Sequence, residues 1–293
     1  MSTSITPADH YAPPNLSTAG RAWRWLALAA VLGMVFLNYY ANTRPFNGQT
    51  MGHVSAKYPT WLTPAGPAFA IWGLIFLSLV AYAGWQLLPA QRRLSFPDAV
   101  ARPLVAACTA ASAWVVLFAY EMILPSVGVM FLLLCCLVVA YGRARRRIFV
   151  DAAPQWVGVP FSLFLGWISV ASVINFIIGL RHLGWQSSEG LSVVLTLILY
   201  AVVVGLGLII SRVFRDMVFP LVIAWALAWV WVARMREVPE LAWAALAGSV
   251  VVTVFGVVLA RKGGRKTPLQ LRDEAAAAAE AEIAARKSVG AGR

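Results

Sequence analysis

The chain has 293 residues, 60% of them hydrophobic and only 12% charged, with a formal net charge of +12. At a mean hydropathy of +0.74, no soluble core hides that much apolar surface; lipid is the solvent, and a water-soluble domain is excluded. The positive charge is scattered over short loops and never gathers on one soluble domain, which argues against a nucleic-acid partner.

Residues 1–20 are polar and proline-bearing, and are expected to form a disordered cytoplasmic N-terminus. From there, runs of about 18 or more mostly apolar residues define eight expected spans: Trp23–Tyr40, Pro67–Leu88, Pro103–Tyr120, Val127–Tyr141, Val157–Leu180, Leu191–Ser211, Met217–Ala233 and Leu241–Ala260. The expected fold is all-α, a polytopic membrane helix bundle. The first span follows a polar leader without a clear small-residue cleavage site and reads as a retained anchor. Cys108, Cys135 and Cys136 fall inside spans, lack any CxxC or Cys/His ligand spacing, and read as small packing residues.

Basic residues alternate between the two sides. Arg21 and Arg24, then QRRLSFPDAVAR, GRARRR, SRVFRD and RKGGRK mark one set of loops; the other set holds only Arg44, Lys57, Arg181, Arg234 and Arg236. By the positive-inside rule both termini are expected in the cytoplasm, in a multi-pass inner-membrane protein, with loop 42–66 outside. The tail 263–293 is expected to be a cytoplasmic alanine-rich helix opened by Thr267 and Pro268.

Loop 42–66 carries an Asn47-Gly48 turn signal and the apolar rings Phe46, Tyr58 and Trp61. Its Pro, Gly and Thr content predicts a folded cap with aromatic contacts more than a helix. Pro64 and Pro67 suit the start of the second helix, and Gly66 and Gly73 are expected to let the chain pack closely there. Trp72 and Phe76, four apart, share one helix face. In the fifth span Trp167, Ala171 and Asn175 form a second stripe beside the small Ser169 and Ser172. Asn175, and Asn38 near the end of the first span, are costly at membrane depth and are expected to face the bundle interior. Glu121 reads either as a proton-coupling carboxylate or as a turn residue before Pro125. His53 and His182 fall in loops without partner spacing. Trp225 and Trp229 read as anchors in the aromatic belt.

Two of these stretches resemble a known family. The second span is similar to the P-x-x-W-x-x-x-Y segment of the TspO/MBR family, the tryptophan-rich sensory proteins related to the mitochondrial translocator protein. WISVASVIN in the fifth span resembles that family's W-V-S-F-A-T-x-L-N, and WVVLF at Trp114–Phe118 agrees in position with its third helix. The likeness covers roughly residues 25–185. Gly66 stands where relatives often have tryptophan, and Ala111 and Ser112 replace the family's asparagine.

The resemblance implies a five-helix unit over residues 21–188, enlarged by three helices over 189–262. It also implies a pocket beneath the first loop, between the first, second and fifth spans, for a porphyrin, a haem-like tetrapyrrole or another flat hydrophobic molecule. The expected site residues are Trp72, Phe76, Trp167, Ala171, Asn175, Asn38, Trp114 and Trp61. No cofactor is required, no metal is expected, and the expected partners are the bilayer and a hydrophobic ligand, with a homodimer allowed. Two alternatives stand beside this sensory reading: an exporter of small amphipathic molecules and, more weakly, a porphyrin photo-oxidising enzyme. No Walker loop, HExxH or GxSxG motif occurs in a usable context.

Overall fold

In hydrocarbon every backbone amide and carbonyl must be bonded within the protein, and helices meet that demand segment by segment. The computed structural model describes residues 18–92, 94–150 and 153–262. These form α1 (Thr18–Thr43), α2 (Met51–Lys57), α3 (Ile71–Trp85), α4 (Ser95–Ala119), α5 (Ile123–Val150), α6 (Val159–His182), α7 (Glu189–Phe214), α8 (Val218–Arg234) and α9 (Pro239–Lys262). There is no strand among the described residues. Seven helical segments are long and apolar enough to cross a membrane, and α8, at 17 residues, is a shorter apolar helix. The expected disorder at the N-terminus and the tail helix lie outside the described residues.

Two boundaries differ from the sequence expectation. α4 starts at Ser95, with Pro103 inside the helix rather than at its start. α5 runs on through GRARRR to Val150, so the span expected to be short belongs to a 28-residue helix. Arginine is a good helix former and nothing in that run breaks the helix.

α4 packs along α1 and α5, α5 along α6, and α3 bridges α1 and α6. The last three helices join through α8, which packs on α6, while α9 packs on both α7 and α8. Backbones approach closely at glycine, though not where expected. A Cβ on Gly166 would lie 2.9 Å from Val222, one on Gly207 would lie 2.7 Å from Val252, and one on Gly256 would lie 2.8 Å from Pro220. Gly66 and Gly73, by contrast, face open space.

The end of the bundle away from loop 44–65 is held by two buried polar clamps. The Arg24 side chain, 2% exposed, donates to Asp98 Oδ1 at 2.7 Å and to the carbonyls of Gln91 and Leu94, each at 2.9 Å. Gln86 Nε2 returns a bond to the Arg24 carbonyl at 3.1 Å. This fastens α1 to the α3–α4 connection. In the second clamp, Asp216 accepts from Tyr141 Oη at 2.8 Å and Ser162 Oγ at 2.6 Å, and also caps α8 through the Val218 amide at 2.8 Å. Arg145, also buried, donates to the Phe214 carbonyl beside it. Three helices and a turn therefore meet on one carboxylate.

Replacing that carboxylate leaves the buried Tyr141 hydroxyl unpaired, while Ser162 Oγ keeps its bond to the Gly158 carbonyl at 3.1 Å. Asp216→Ala is expected to destabilise the fold by about 2–4 kcal/mol, read as a lower Tm in detergent, with Asp216→Asn losing less. Gly207→Ala is expected to lower Tm as well, whereas Gly73→Ala, with no neighbour to meet, leaves it unchanged or raises it.

Candidate functional site

The loop between α1 and α3 is a cap seated on the bundle mouth. Thr50 starts α2 by accepting a hydrogen bond from the His53 amide at 3.3 Å. Val54 on the inner face of α2 is fully buried against Phe118, Ile123 and Ile178. The cap thus contains a helical turn where the composition predicted irregular chain: a good N-cap and one buried valine outweigh the local Gly and Pro signals.

The cap is fixed on two sides. On one, Lys57 Nζ lies 2.6 Å from Glu121 Oε1 and Gln49 Nε2 donates to the same oxygen at 2.9 Å. Glu121 occupies the α4–α5 turn with φ of 56°. The Lys57 and Gln49 hydrogen bonds hold its carboxyl below the usual carboxylate range. Glu121 is therefore a tie point for the cap and not a carboxylate at mid-membrane depth. On the other side, the Ala65 amide donates to the Trp229 carbonyl at 3.1 Å and Trp225 Nε1 donates to the Ala68 carbonyl at 2.9 Å. Arg234 reaches the Thr63 carbonyl at 3.4 Å and lies 5.6 Å from the Trp61 ring centroid. Trp225, read from sequence as a belt anchor, ties the foot of the cap to α8.

Beneath the cap lies a cavity of about 70 Å³. Its walls carry three indoles from separate helices: Trp72 on α3, Trp114 on α4 and Trp167 on α6. Ala171 and Asn175 continue the α6 wall, Phe118 and Met130 complete it, and Met51, Ser55, Thr63 and Pro64 form the roof. The rings brace one another at ordinary aromatic distances. Trp72 meets Phe164 edge-on at 5.9 Å, Phe69 meets Trp167 edge-on at 5.7 Å, and Trp114 stacks on Phe118 at 4.9 Å. Asn175, 5% exposed, accepts from Trp114 Nε1 at 3.1 Å and donates to the Ala171 carbonyl at 3.0 Å. Its buried amide is thereby supplied from within the protein, and it fixes the plane of the Trp114 ring.

Of the residues expected at the site, Trp72, Trp114, Trp167, Ala171 and Asn175 come together on this cavity. The other three do not. Phe76 sits behind Trp72, with centroids 5.2 Å apart, and is not on the wall. Asn38 is half-buried, bonds its own helix at the Met34 carbonyl, and lines no cavity described here. Trp61 belongs to a separate, larger cavity between α6 and α7. No α1 residue lines the aromatic cavity; α4 takes the place expected for the first span. Phe69 and Phe118 were missed, although Phe118 lies four residues from Trp114 and so shares its face. His182 packs edge-on against Tyr58 at 6.4 Å. No group of three or more His, Cys, Asp or Glu able to hold a metal occurs among the described residues.

A multi-pass helical bundle with an aromatic-walled cavity under a folded loop is the class these features define. The chain belongs to the family of TSPO-like proteins, which matches residues 24–258. The match runs beyond residue 185, where the resemblance read from sequence stops, and takes in α7, α8 and most of α9. No curated protein and no solved structure matches the chain significantly.

The Glu121 tie has a definite pH sense. Its folded pKa is depressed, so the stabilisation it gives is complete above the ordinary carboxylate value, about 4.3, and is lost as pH falls through the lower folded value. Amide exchange across α2 is expected to stay slow from neutral pH down to that window and to quicken below it, after correction for intrinsic rates. Glu121→Gln is expected to exchange fast at neutral pH already.

Proposed function

We propose that this protein is a membrane-embedded binding and sensory protein that takes up a flat hydrophobic ligand, such as a porphyrin, between the indoles beneath its cap. The observation that carries this reading is the convergence of Trp72, Trp114 and Trp167 from three helices on one cavity. Indole faces offer broad apolar area, each Å² removed from water contributing about 25 cal/mol, and a planar ring system matches their geometry. At about 70 Å³ the cavity is well below the ~300–1,000 Å³ of small-molecule sites. Uptake of a tetrapyrrole therefore requires the cap to lift, breaking its polar ties through Glu121 and α8 and drawing Val54 away from Phe118, Ile123 and Ile178. The exporter reading predicts dependence on Glu121, which is committed to Lys57 and Gln49 at the turn.

Titration of the purified protein with protoporphyrin, followed by quenching of tryptophan fluorescence, tests the proposal. Saturable binding is expected, with the Trp72→Ala, Trp167→Ala double variant raising Kd roughly ten- to a hundredfold. An unchanged Kd in a folded double variant removes the cavity as the site.

A further inference from the structure

A second cavity, larger than the one beneath the cap, lies elsewhere in the bundle. About 390 Å³ opens between α6 and α7, two consecutive helices that scarcely touch because α8 packs on α6 while α9 packs on α7. The volume falls within the ~300–1,000 Å³ of small-molecule sites. Its mouth is lateral: Phe176 on α6 and Ile198 on α7 both line it and are 48% and 53% exposed, facing the region that lipid occupies. The walls are aliphatic and aromatic apart from a rim at the cap end of the helices. There Arg181 is the only charged side chain lining the cavity. It has no hydrogen-bond or ion-pair partner among the described residues, and Trp185 stands beside it on the same rim.

A cation at the water boundary above an apolar slot between two helices is complementary to a molecule with one negative head and one apolar tail. At about 30 Å³ for each water-sized group, 390 Å³ holds about a dozen such groups, the length of one acyl chain and not two. We propose that this groove seats a single-chain anionic amphiphile of the fatty-acid type, which enters sideways from the bilayer. The carboxylate pairs with the Arg181 guanidinium in a two-pronged bond, and the tail lies between α6 and α7. Trp185 keeps the head at interface level. The site is separate from the aromatic cavity: the two share no lining residue, and it stands whether or not a tetrapyrrole binds under the cap.

The test uses the full chain in phosphatidylcholine nanodiscs, with cis-parinaric acid as a fluorescent single-chain carboxylate. One saturable site is expected, from which palmitate displaces the probe. Hexadecanol, with the same chain and no charge, is expected to compete roughly tenfold less well. Arg181→Gln should weaken the probe by a similar factor and leave hexadecanol unchanged, with Arg181→Lys partly restoring it. Ile198→Trp, placed at the exposed mouth, should block both ligands while protoporphyrin binding persists. Equal competition by hexadecanol, or full affinity in Arg181→Gln or Ile198→Trp, overturns the proposal. Displacement by phosphatidylglycerol as effective as by palmitate overturns the single-chain occupant. Loss of protoporphyrin binding with intact parinarate binding counts against the reading of the cap cavity and not against this one.

Discussion

The position of the cap depends on its being bonded from both flanks. Val54 on α2 is buried against Phe118, Ile123 and Ile178, which draws the loop onto the bundle mouth. Bonds to Glu121 at the α4–α5 turn and to the α8 backbone at Trp229 decide where it rests. With the cap placed, the indoles of α3, α4 and α6 become walls of an enclosure; without it they would line an open bowl. The helices beyond α6 thereby acquire a role. α8 presses against α6 at Gly166 and also supplies the carbonyl and indole that anchor the foot of the cap.

The two ends of the bundle are built on different chemistry. Away from the cap, Arg24, Arg145 and Asp216 are buried charges whose bonds fix which helix meets which. Removing one partner from such a group is costly, so this end is stiff. At the cap end the cavity walls meet ring against ring around Asn175, and the polar ties of the cap, Lys57 with Glu121 among them, lie at the rim. Aromatic contacts tolerate sliding more readily than an ion pair tolerates separation. For the ligand uptake proposed above, the arrangement places the compliant end at the mouth and the rigid end below it.

Hydropathy alone made the helices and their order readable, because lipid permits few alternatives to an apolar helix. The stripe Trp167, Ala171, Asn175 was readable for the same reason: a polar amide at depth has to point inward. What stayed hidden depended on facts no single stretch contains. Trp72 and Phe76 share a face, yet only the ring nearer the cap reaches the cavity. Gly66 and Gly73 look like packing notches, but the notches used are Gly166, Gly207 and Gly256, where a partner helix happens to cross. Trp225 resembles any interfacial tryptophan until the Ala68 carbonyl is found at its nitrogen. Arg24 counted as one more positive charge on a flank, although it is the centre of a buried clamp. Pairings between distant segments are tertiary facts, and periodicity carries no record of them.

Residue 121 sits in the left-handed region of backbone space, where glycine is at ease and a side chain is not. Holding a non-glycine residue there costs on the order of 1 kcal/mol. A glycine at this corner would relieve the backbone and surrender the carboxylate that Lys57 pairs with. The chain keeps the awkward corner, and local comfort has been given up so that the roof stays shut.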